Sequence, residues 1–585
     1  MRLIYLKEGR HYTVQGLATY VQNLKDSSST TESNEGGSKL DATSFDERFF
    51  ERLQESINKE FDKSVVKGKN GVLVFHYVGL YDYVDEETGK NLTFFFLPKF
   101  LDIEEGDETG EDEQVKDDKG WNSKDNTLLG SWKACCDEFE TFGRDILIQA
   151  IDRYSKDDVE IVDQVETSEK SHKGILELAV RFLRDYLEKG LYIVQRHELE
   201  LNGRGEIDWQ TTIDEFQPLI KKGRPYYMDV KTELAYSDED HYITRLQKCL
   251  VTTWGRKLEE LGLSSVLRVN VPLLSEEQLD QLGDDDFKIA QINRELNVQF
   301  VTKSRETLAL MKELIQRSAE NKAANYESLS FGMTGVHALW EKACAEVLGS
   351  ELDEKICECG MHLPQGEEFK EKTFKDYMPC PIWSKPDEGD KCKAKGWQLD
   401  FIRTWSADGH KKLVILDAKY YSVFWPKSDE DSKRTIKGQP GMADITKQMF
   451  YQMAFQELQK ANPGVEIVNA FLFPAVDSQP STDDGHTNEK GKEGKVTLGE
   501  TVRIGWPTQV GAVIPTKAFK EINLFAVRIP GLHLLERYAN YTGGDDGWFG
   551  EIVKFADEVK FASKTNKDGE HNEQSCLHEG EDTGG

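Results

Sequence analysis

The order of apolar and polar positions along the chain predicts alternating helices and strands. Apolar residues recur at helical spacing in three early segments, at 45–62, 174–190 and 299–320. Two runs with strand character, at 72–84 and 91–100, lie on either side of a polar EETGK turn. We therefore expect an N-terminal mixed α/β region over residues 1–325.

A second region begins near Met333 and combines the same elements in a different order. Its predicted helices and strands are, in chain order, a helix at 335–349, strands at 397–405 and 413–421, a helix at 443–458, strands at 465–474, 500–507 and 522–531, and a last short helix. A crossover helix between strands favours a central mixed sheet. The predicted fold class is thus α/β (α+β), with a second domain at 326–562 and a disordered polar tail at 563–585.

Composition agrees with several packed domains. The 585 residues are 38% hydrophobic, which is enough for two to four cores. Polar stretches at 25–44, 103–127 and 477–496 are typical of loops. The chain starts without a secretory signal, and no apolar run approaches the roughly 20 residues that cross a bilayer. We expect a cytoplasmic protein that does not contact a membrane.

Charge restricts the possible partners. With 74 basic and 105 acidic side chains the net charge is −31, so the average field repels nucleic acid. A protein that binds DNA by itself usually has a strongly basic surface. If DNA is the substrate, either a local basic cleft or a partner protein must bring it to this chain.

The nine cysteines favour reduced thiols over a disulfide framework, because the number is odd and no export signal is present. Four of them are close in sequence: Cys357, Cys359, Cys380 and Cys392. Their spacing matches no familiar paired zinc pattern. Free cysteines in a polar insertion are the preferred interpretation, and a zinc site is the alternative.

Asp400, Asp417 and Lys419 form the constellation with the clearest chemistry. Asp417 and Lys419 lie two residues apart after an apolar strand, and side chains two apart share a face. A hairpin turning at Asp408 and Gly409 would place Asp400 at the same end of the sheet. The alternative, in which all three make ordinary surface ion pairs, is less attractive beside an apolar strand.

Two neighbouring carboxylates repel each other unless a cation lies between them. Mg²⁺ prefers carboxylates, waters and phosphate oxygens, and would stabilise charge on a scissile phosphate and activate a water. Lys419 could orient that water, accept its proton if the lysine pKa were depressed, or offset charge on the phosphate. One-metal and two-metal use both stay open.

The segment resembles the PD-(D/E)xK nuclease superfamily, because 16 residues separate Asp400 from the Asp417-Ala-Lys419 group. Members similar to RecB often add an upstream helical acid and a downstream helical glutamine. Glu341 matches the first and would join Asp400 and Asp417 as a metal ligand. Gln448 matches the second, although Tyr451 follows it after three residues instead of four. The competing interpretation is a helix-surface pair with a lysine for Glu341 and a solvated helix face for Gln448.

A rival constellation lies in the first region, where Asp208 is followed by Asp229-Val-Lys231. An acidic loop follows Lys231, and no glutamine helix comes soon after it. We therefore expect the segment around Asp208 to form a structural turn or a partner contact. Gly203 and Gly205 would allow its unusual backbone angles.

Six segments together resemble the LlaJI family of restriction endonuclease subunits, which is similar in turn to McrC. They are NGRGEIDWQTTI at 202–213, PYYMDV at 225–230, the WEKAC helix, QLDFI, LDAKYY and DITKQMFYQ. The resemblance implies a role in restriction-modification and antiviral defence, with double-stranded DNA as the substrate of the C-terminal nuclease domain. It also implies a hetero-oligomeric complex with an McrB-like AAA+ GTPase, on which the N-terminal region would dock and whose hydrolysis it would stimulate.

Two other functions stay open from the sequence. A nuclease-inactive adaptor would activate the motor without cutting DNA. A stand-alone RecB-like repair nuclease would cut DNA without a motor, which the net charge of −31 disfavours. The chain contains no P-loop of its own, which agrees with a motor on a separate chain.

Overall fold

The computed structural model describes residues 3–13, 16–17, 47–60, 65–67, 72–85, 90–101, 143–156, 174–322, 326–364, 371–379, 382–384, 391–393, 397–407, 409–421, 440–475, 508–513, 524–540 and 547–554. Predictions for the loops at 25–44, 103–127 and 477–496, the strand at 500–507 and the tail at 563–585 lie outside these residues. Within the described part, no helix is both long and apolar enough to span a membrane.

The described parts of the chain include nineteen strands and eleven helices. The strands are β1 Leu3–Lys7, β2 His11–Thr13, β3 Val65–Lys67, β4 Val72–Phe75, β5 Tyr77–Asp85, β6 Lys90–Leu97, β7 Val194–Leu201, β8 Glu206–Ile207, β9 Leu219–Lys221, β10 Arg224–Tyr226, β11 Lys231–Asp238, β12 Tyr326–Thr334, β13 Ile382–Ser384, β14 Lys391–Lys393, β15 Phe401–Ala407, β16 His410–Ala418, β17 Val465–Ala475, β18 Thr508–Val513 and β19 Leu524–Pro530. The helices are α1 Glu47–Glu60, α2 Ile175–Lys189, α3 Trp209–Glu215, α4 Tyr242–Glu260, α5 Asp285–Val298, α6 Thr302–Lys322, α7 Val336–Val347, α8 Phe374–Tyr377, α9 Met442–Ala454, α10 Gln456–Ala461 and α11 Gly531–Asn540. Residues 143–156 and 547–554 are also helical.

A four-stranded sheet in the order β1-β6-β5-β12 organises the first region. Both of its faces are buried, because Phe95 belongs to the apolar cluster on one side while Phe94 and Phe96 belong to the cluster on the other. Its last strand, β12, pairs along its whole length with β5, although it follows the predicted boundary at residue 325. The division into domains at that residue stays a prediction.

Residues 194–238 form a small exposed unit, which we call the β-module. It contains the three-stranded sheet β7-β11-β8, the hairpin β9-β10 and the short helix α3. Most side chains on its strands are exposed, including Leu219 and Ile220, and Met228, just after β10, is exposed as well. This unit therefore contributes little to the core, and its apolar side chains face outward.

A five-stranded sheet in the order β15-β16-β17-β19-β18 organises the second region. β16, β17 and β19 are parallel, whereas β15 and β18 pair antiparallel at the two edges. Helices α9 and α10 form the crossover between β16 and β17. The mixed α/β fold is thus confirmed, with the predicted single helix at 443–458 divided in two at Phe455.

Candidate active site

The hairpin of β15 and β16 brings the two predicted aspartates to one end of the sheet. Phe401 pairs with Leu416, and Ala407 pairs with His410 at the other end of the hairpin. Gly409 has a φ of +78°, a left-handed conformation that glycine adopts without strain, so the turn lies where the sequence indicates it. Continuing the register by one residue sets Asp400 opposite Asp417.

Lys419 leaves β16 beside these carboxylates. Its backbone N–H donates to the carbonyl of Leu472 on β17 over 2.8 Å, which fixes the chain just after the strand. Its ammonium lies 2.9 Å from Asp417 Oδ2 and 4.0 Å from Asp400 Oδ2. The structure therefore brings Asp400, Asp417 and Lys419 together, although their catalytic role stays a prediction.

Helix α9 adds two charged residues that were not proposed as site residues. Lys447 Nζ lies 3.6 Å from Asp417 Oδ1, so a second ammonium approaches the carboxylate from the opposite oxygen. Asp444 Oδ1 lies 3.9 Å from Lys419 Nζ. One signal for Lys447 exists in the sequence, since it directly precedes Gln448 on the crossover helix. Its direction toward Asp417 depends on how that helix packs on the sheet.

Burial sets the protonation of the site. Asp417 is fully buried, and Asp400 is mostly buried. Burial, followed by the hydrogen bond and the repulsion of Asp417, raises the pKa of Asp400 to about 8. Burial by itself lowers the pKa of Lys419, but the Asp417 carboxylate outweighs it and the net shift is upward. Lys419 is therefore an ammonium at neutral pH, and its use as a proton acceptor is disfavoured.

The donor set fits a hard divalent cation. Three buried oxygens, Oδ2 of Asp400 and both carboxylate oxygens of Asp417, accept no hydrogen bond of good geometry. Carboxylate oxygens are the protein ligands that Mg²⁺ prefers, and around Asp417 the ammonium groups of Lys419 and Lys447 balance the carboxylate charge in this structure. Across the described residues, no group of three or more His, Cys, Asp or Glu side chains is arranged to hold a metal ion. Two aspartates would therefore need waters or phosphate oxygens to complete a coordination sphere.

Glu341 and Gln448 lie on the two helices that flank the site. Glu341, on α7, is half-buried; burial raises its pKa, and Lys419 has the largest opposing effect. It does not form a three-carboxylate group with Asp400 and Asp417 in this conformation. Gln448, on α9, is fully buried, and neither atom of its amide group has a hydrogen-bond partner. The solvated helix face considered for Gln448 is therefore wrong, because α9 packs this side chain against the sheet.

A model of the LlaJI restriction endonuclease family matches residues 144–484, which is more than half of the chain. The chain belongs to this family. The match includes every candidate residue described above and the whole β-module.

Two further comparisons place the LlaJI-family chain among known proteins. It is similar to "Type II restriction enzyme BsuMI component YdjA" of Bacillus subtilis (strain 168), with 28% identity over 291 residues. That match covers 49% of this chain and 56% of the relative, so the chain spans about half the length of the curated relative it matches. A structure titled "Refined half-complex from tetradecameric assembly of Thermococcus gammatolerans McrB AAA+ hexamers with bound McrC" aligns over 92% of this chain and 99% of its own, at 13% identity. Its TM-score of 0.29 does not establish a shared fold.

The rival constellation of the LlaJI-family chain does not form a site. Asp208 caps α3 by accepting hydrogen bonds from the backbone N–H groups of Gln210 and Thr211. The hydrogen bond from the Thr211 hydroxyl, followed by these backbone bonds, lowers the pKa of Asp208. Asp229 accepts from the Asn202 side chain over 2.8 Å. Lys231 pairs instead with Glu215 at 3.3 Å. Each of the three charges has a separate local partner.

The glycines beside Asp208 allow two strands to approach closely. A Cβ atom added to Gly205 would lie 1.9 Å from the carbonyl oxygen of Glu233 on β11, and one added to Gly203 would meet the Glu200 side chain. Any larger residue would push the backbone away from that carbonyl. The NGRGEIDW segment is therefore a structural turn, one of its two expected interpretations. The unusual backbone angles expected at Gly203 and Gly205 are not found, since neither has a positive φ, and both glycines instead serve close packing.

The described residues include only some of the four cysteines considered as zinc ligands. Cys359 is a free thiol there, as are Cys249 and Cys344, and Cys357 is exposed. Cys380 lies outside the described residues, and the side chain of Cys392 is likewise not described. Zinc binding by this group stays an untested alternative.

Proposed function

We propose that this protein is the Mg²⁺-dependent DNA endonuclease subunit of a McrBC/LlaJI-type restriction system that acts in phage defence. The observation that carries the proposal is Asp417, a carboxylate fully buried at a strand end with Asp400 and Lys419 beside it. Membership of the LlaJI restriction endonuclease family supports the same reaction class. The edge strand β15, the parallel strands and the crossover helix support a PD-(D/E)xK type of sheet.

In this proposal Asp400 and Asp417 hold the cation, with Glu341 reaching it from α7. Bound Mg²⁺ would polarise the scissile phosphate and lower the pKa of a water. Lys419, kept as an ammonium by Asp417, orients the attacking water or offsets charge on the phosphate. Lys447 holds the second oxygen of Asp417 and keeps that carboxylate oriented toward the site.

The β-module is the proposed docking surface for an McrB-like AAA+ GTPase that delivers double-stranded DNA. Its outward-facing Leu219, Ile220 and Met228 form an apolar surface on a unit that the core does not need. Because a net charge of −31 repels DNA, it supports a partner protein that binds the DNA and brings it to this chain. The chain would in turn stimulate GTP hydrolysis by that partner.

The test is a DNA cleavage assay with Mg²⁺, with and without GTP and the proposed McrB-like AAA+ partner. We expect cleavage only when all three are present. GTPase stimulation without cleavage under any divalent metal would instead identify an inactive adaptor. Efficient cleavage by the purified chain alone would identify a stand-alone nuclease and overturn the dependence on a motor.

A further inference from the structure

Three large apolar side chains are exposed around Lys447, the residue whose ammonium lies 3.6 Å from Asp417 Oδ1. Trp397 is 41% exposed, Phe450 43% and Met442 76%. Trp397 comes three residues before Asp400, and the other two lie on α9 with Lys447. An apolar patch in a chain with 31% charged residues indicates a surface that binds something.

These side chains line a cavity of about 400 Å³. The ring centroids of Trp397 and Phe450 are 5.2 Å apart and their planes meet at 36°, so the two rings pack together at a tilt. Both line the cavity, and we call them its aromatic wall. Ala443, Thr446 and Lys447 complete the lining together with Met442. The cavity is at the small end of the range for organic ligands, and it suits one flat ring system better than a protein surface, which needs a far larger contact.

Lys447 connects this cavity to the carboxylates. It lines the cavity, and its ammonium lies 3.6 Å from Asp417 Oδ1 and 5.3 Å from the centroid of the Tyr451 ring. A ligand in the cavity is therefore one side chain away from a group bound at Asp417. Its ring would rest on the aromatic wall, and a negative charge attached to that ring would face a cation.

A nucleobase with its phosphate has this combination of a flat ring and an adjoining anion. Aromatic walls beside a cation bind the bases of single strands, because every base has a face that stacks. A paired base inside a duplex has both faces covered by its neighbours and cannot use such a wall. We propose that the cavity receives one unstacked base of the strand whose phosphate lies at Asp417. This inference rests on the proposed nuclease function.

The test measures binding of the full chain to a thymidine oligomer of about 12 nucleotides, in chelator and at low ionic strength. The comparison ligand is an abasic oligomer of equal length, which has the same phosphates and no bases. We expect Trp397→Ala to weaken thymidine binding by about tenfold and to leave abasic binding unchanged, since one base stack contributes about 1–3 kcal/mol. Trp397→Tyr should restore binding.

Phe450→Ala should reproduce the loss, and Phe300→Ala is the matched control because Phe300 is exposed on another part of the chain. Equal binding of thymidine and abasic oligomers by the unaltered chain would overturn the proposal. So would a duplex whose binding depends on Trp397 to the same extent. A Trp397→Ala variant that binds the AAA+ partner less well, but the oligomer normally, would assign the cavity to a protein.

Binding in chelator does not require hydrolysis, so the two proposals can fail separately. If Asp417→Asn still cuts DNA while Trp397→Ala loses base-dependent binding, the proposed active site is wrong and the cavity assignment stands. If Asp417→Asn abolishes cleavage while thymidine binding ignores Trp397, the nuclease assignment stands and the cavity assignment is wrong.

Discussion

Tyr420 donates a hydrogen bond to Glu8, with 2.8 Å between the tyrosine hydroxyl and Glu8 Oε2. The same hydroxyl accepts from the backbone N–H of Lys99 over 3.1 Å. Tyr420 directly follows Lys419, whereas Glu8 and Lys99 follow strands of the first sheet. The position of the candidate active site is thus fixed by contacts with the beginning of the chain.

Removing this hydroxyl should destabilise the protein and disturb the site. Tyr420→Phe leaves Glu8 and the Lys99 N–H with fewer partners in a largely buried place, at a cost of about 1–2 kcal/mol in the free energy of unfolding. Urea denaturation measures this cost. Tyr421→Phe is the control, because that ring is partly exposed. Equal stability of the two variants would show that the link to Glu8 contributes nothing.

The Asp-x-Lys segments at 417–419 and 229–231 provide a matched comparison of chemistry. Asp417→Asn and Lys419→Met should each lower cleavage at least about 100-fold, because each removes charge that faces the reacting phosphate. The same changes at Asp229 and Lys231 should leave cleavage per GTP hydrolysed unchanged, since these residues have separate structural partners. If the variants at Asp417 and Lys419 still cut DNA and those at Asp229 and Lys231 do not, the active site lies in the β-module instead.

The pH dependence of stability should report on Asp400. The unfolded chain releases this proton near pH ~4, whereas burial and Asp417 hold the folded-state pKa at about 8. The folded state therefore binds the proton more tightly, and the stability that this group contributes is present at low pH and lost as pH rises through about 8.

Asp400→Asn should consequently flatten the decline in unfolding free energy between about pH 4 and 8, measured in chelator. A bound cation favours the ionised carboxylate, so Mg²⁺ should raise the melting temperature of the unaltered chain more at about pH 8 than at about pH 6. The variant should lose this difference. An unchanged pH profile in Asp400→Asn would contradict the assigned protonation.

The exposed apolar side chains of the β-module should be needed for motor activation. Ile220→Glu and Met228→Glu place charges on that surface and should lower stimulated GTP hydrolysis at least about tenfold, through weaker association. Phe300→Glu controls for a charge added at an exposed aromatic elsewhere. Because these side chains are outside the core, the melting temperature should not change. Normal GTPase stimulation by both variants would place the docking surface elsewhere.

The local parts of the site could be predicted from the sequence because they depend on short-range geometry. Alternation along 413–418 orients Asp417, and the turn at Gly409 belongs to the hairpin that brings Asp400 back. Lys447 was not proposed because its contact depends on the rotation of α9 against the sheet. The burial of Gln448 was underestimated for the same reason, since a polar residue on a helix is more often solvated.

Pairing between strands that are far apart in the chain could not be predicted from the sequence. Strand β12 follows the predicted boundary at 325 but completes the first sheet by pairing with β5, more than 200 residues earlier in the chain. No local pattern specifies such a partner. The sequence also does not predict the helix at Tyr242–Glu260, although ten of its residues are buried. Its N-cap residue is His241, which is not one of the residues that typically mark the start of a helix.

The large apolar cluster that runs from Leu3 to Val553 has a consequence for synthesis on the ribosome. The carboxylates are translated before β19, the strand that pairs with β17 and so supports the sheet on which they lie. A nascent chain that stops before residue 524 has both aspartates but lacks this support. The sheet that carries the carboxylates is therefore complete only after the last part of the chain has been translated.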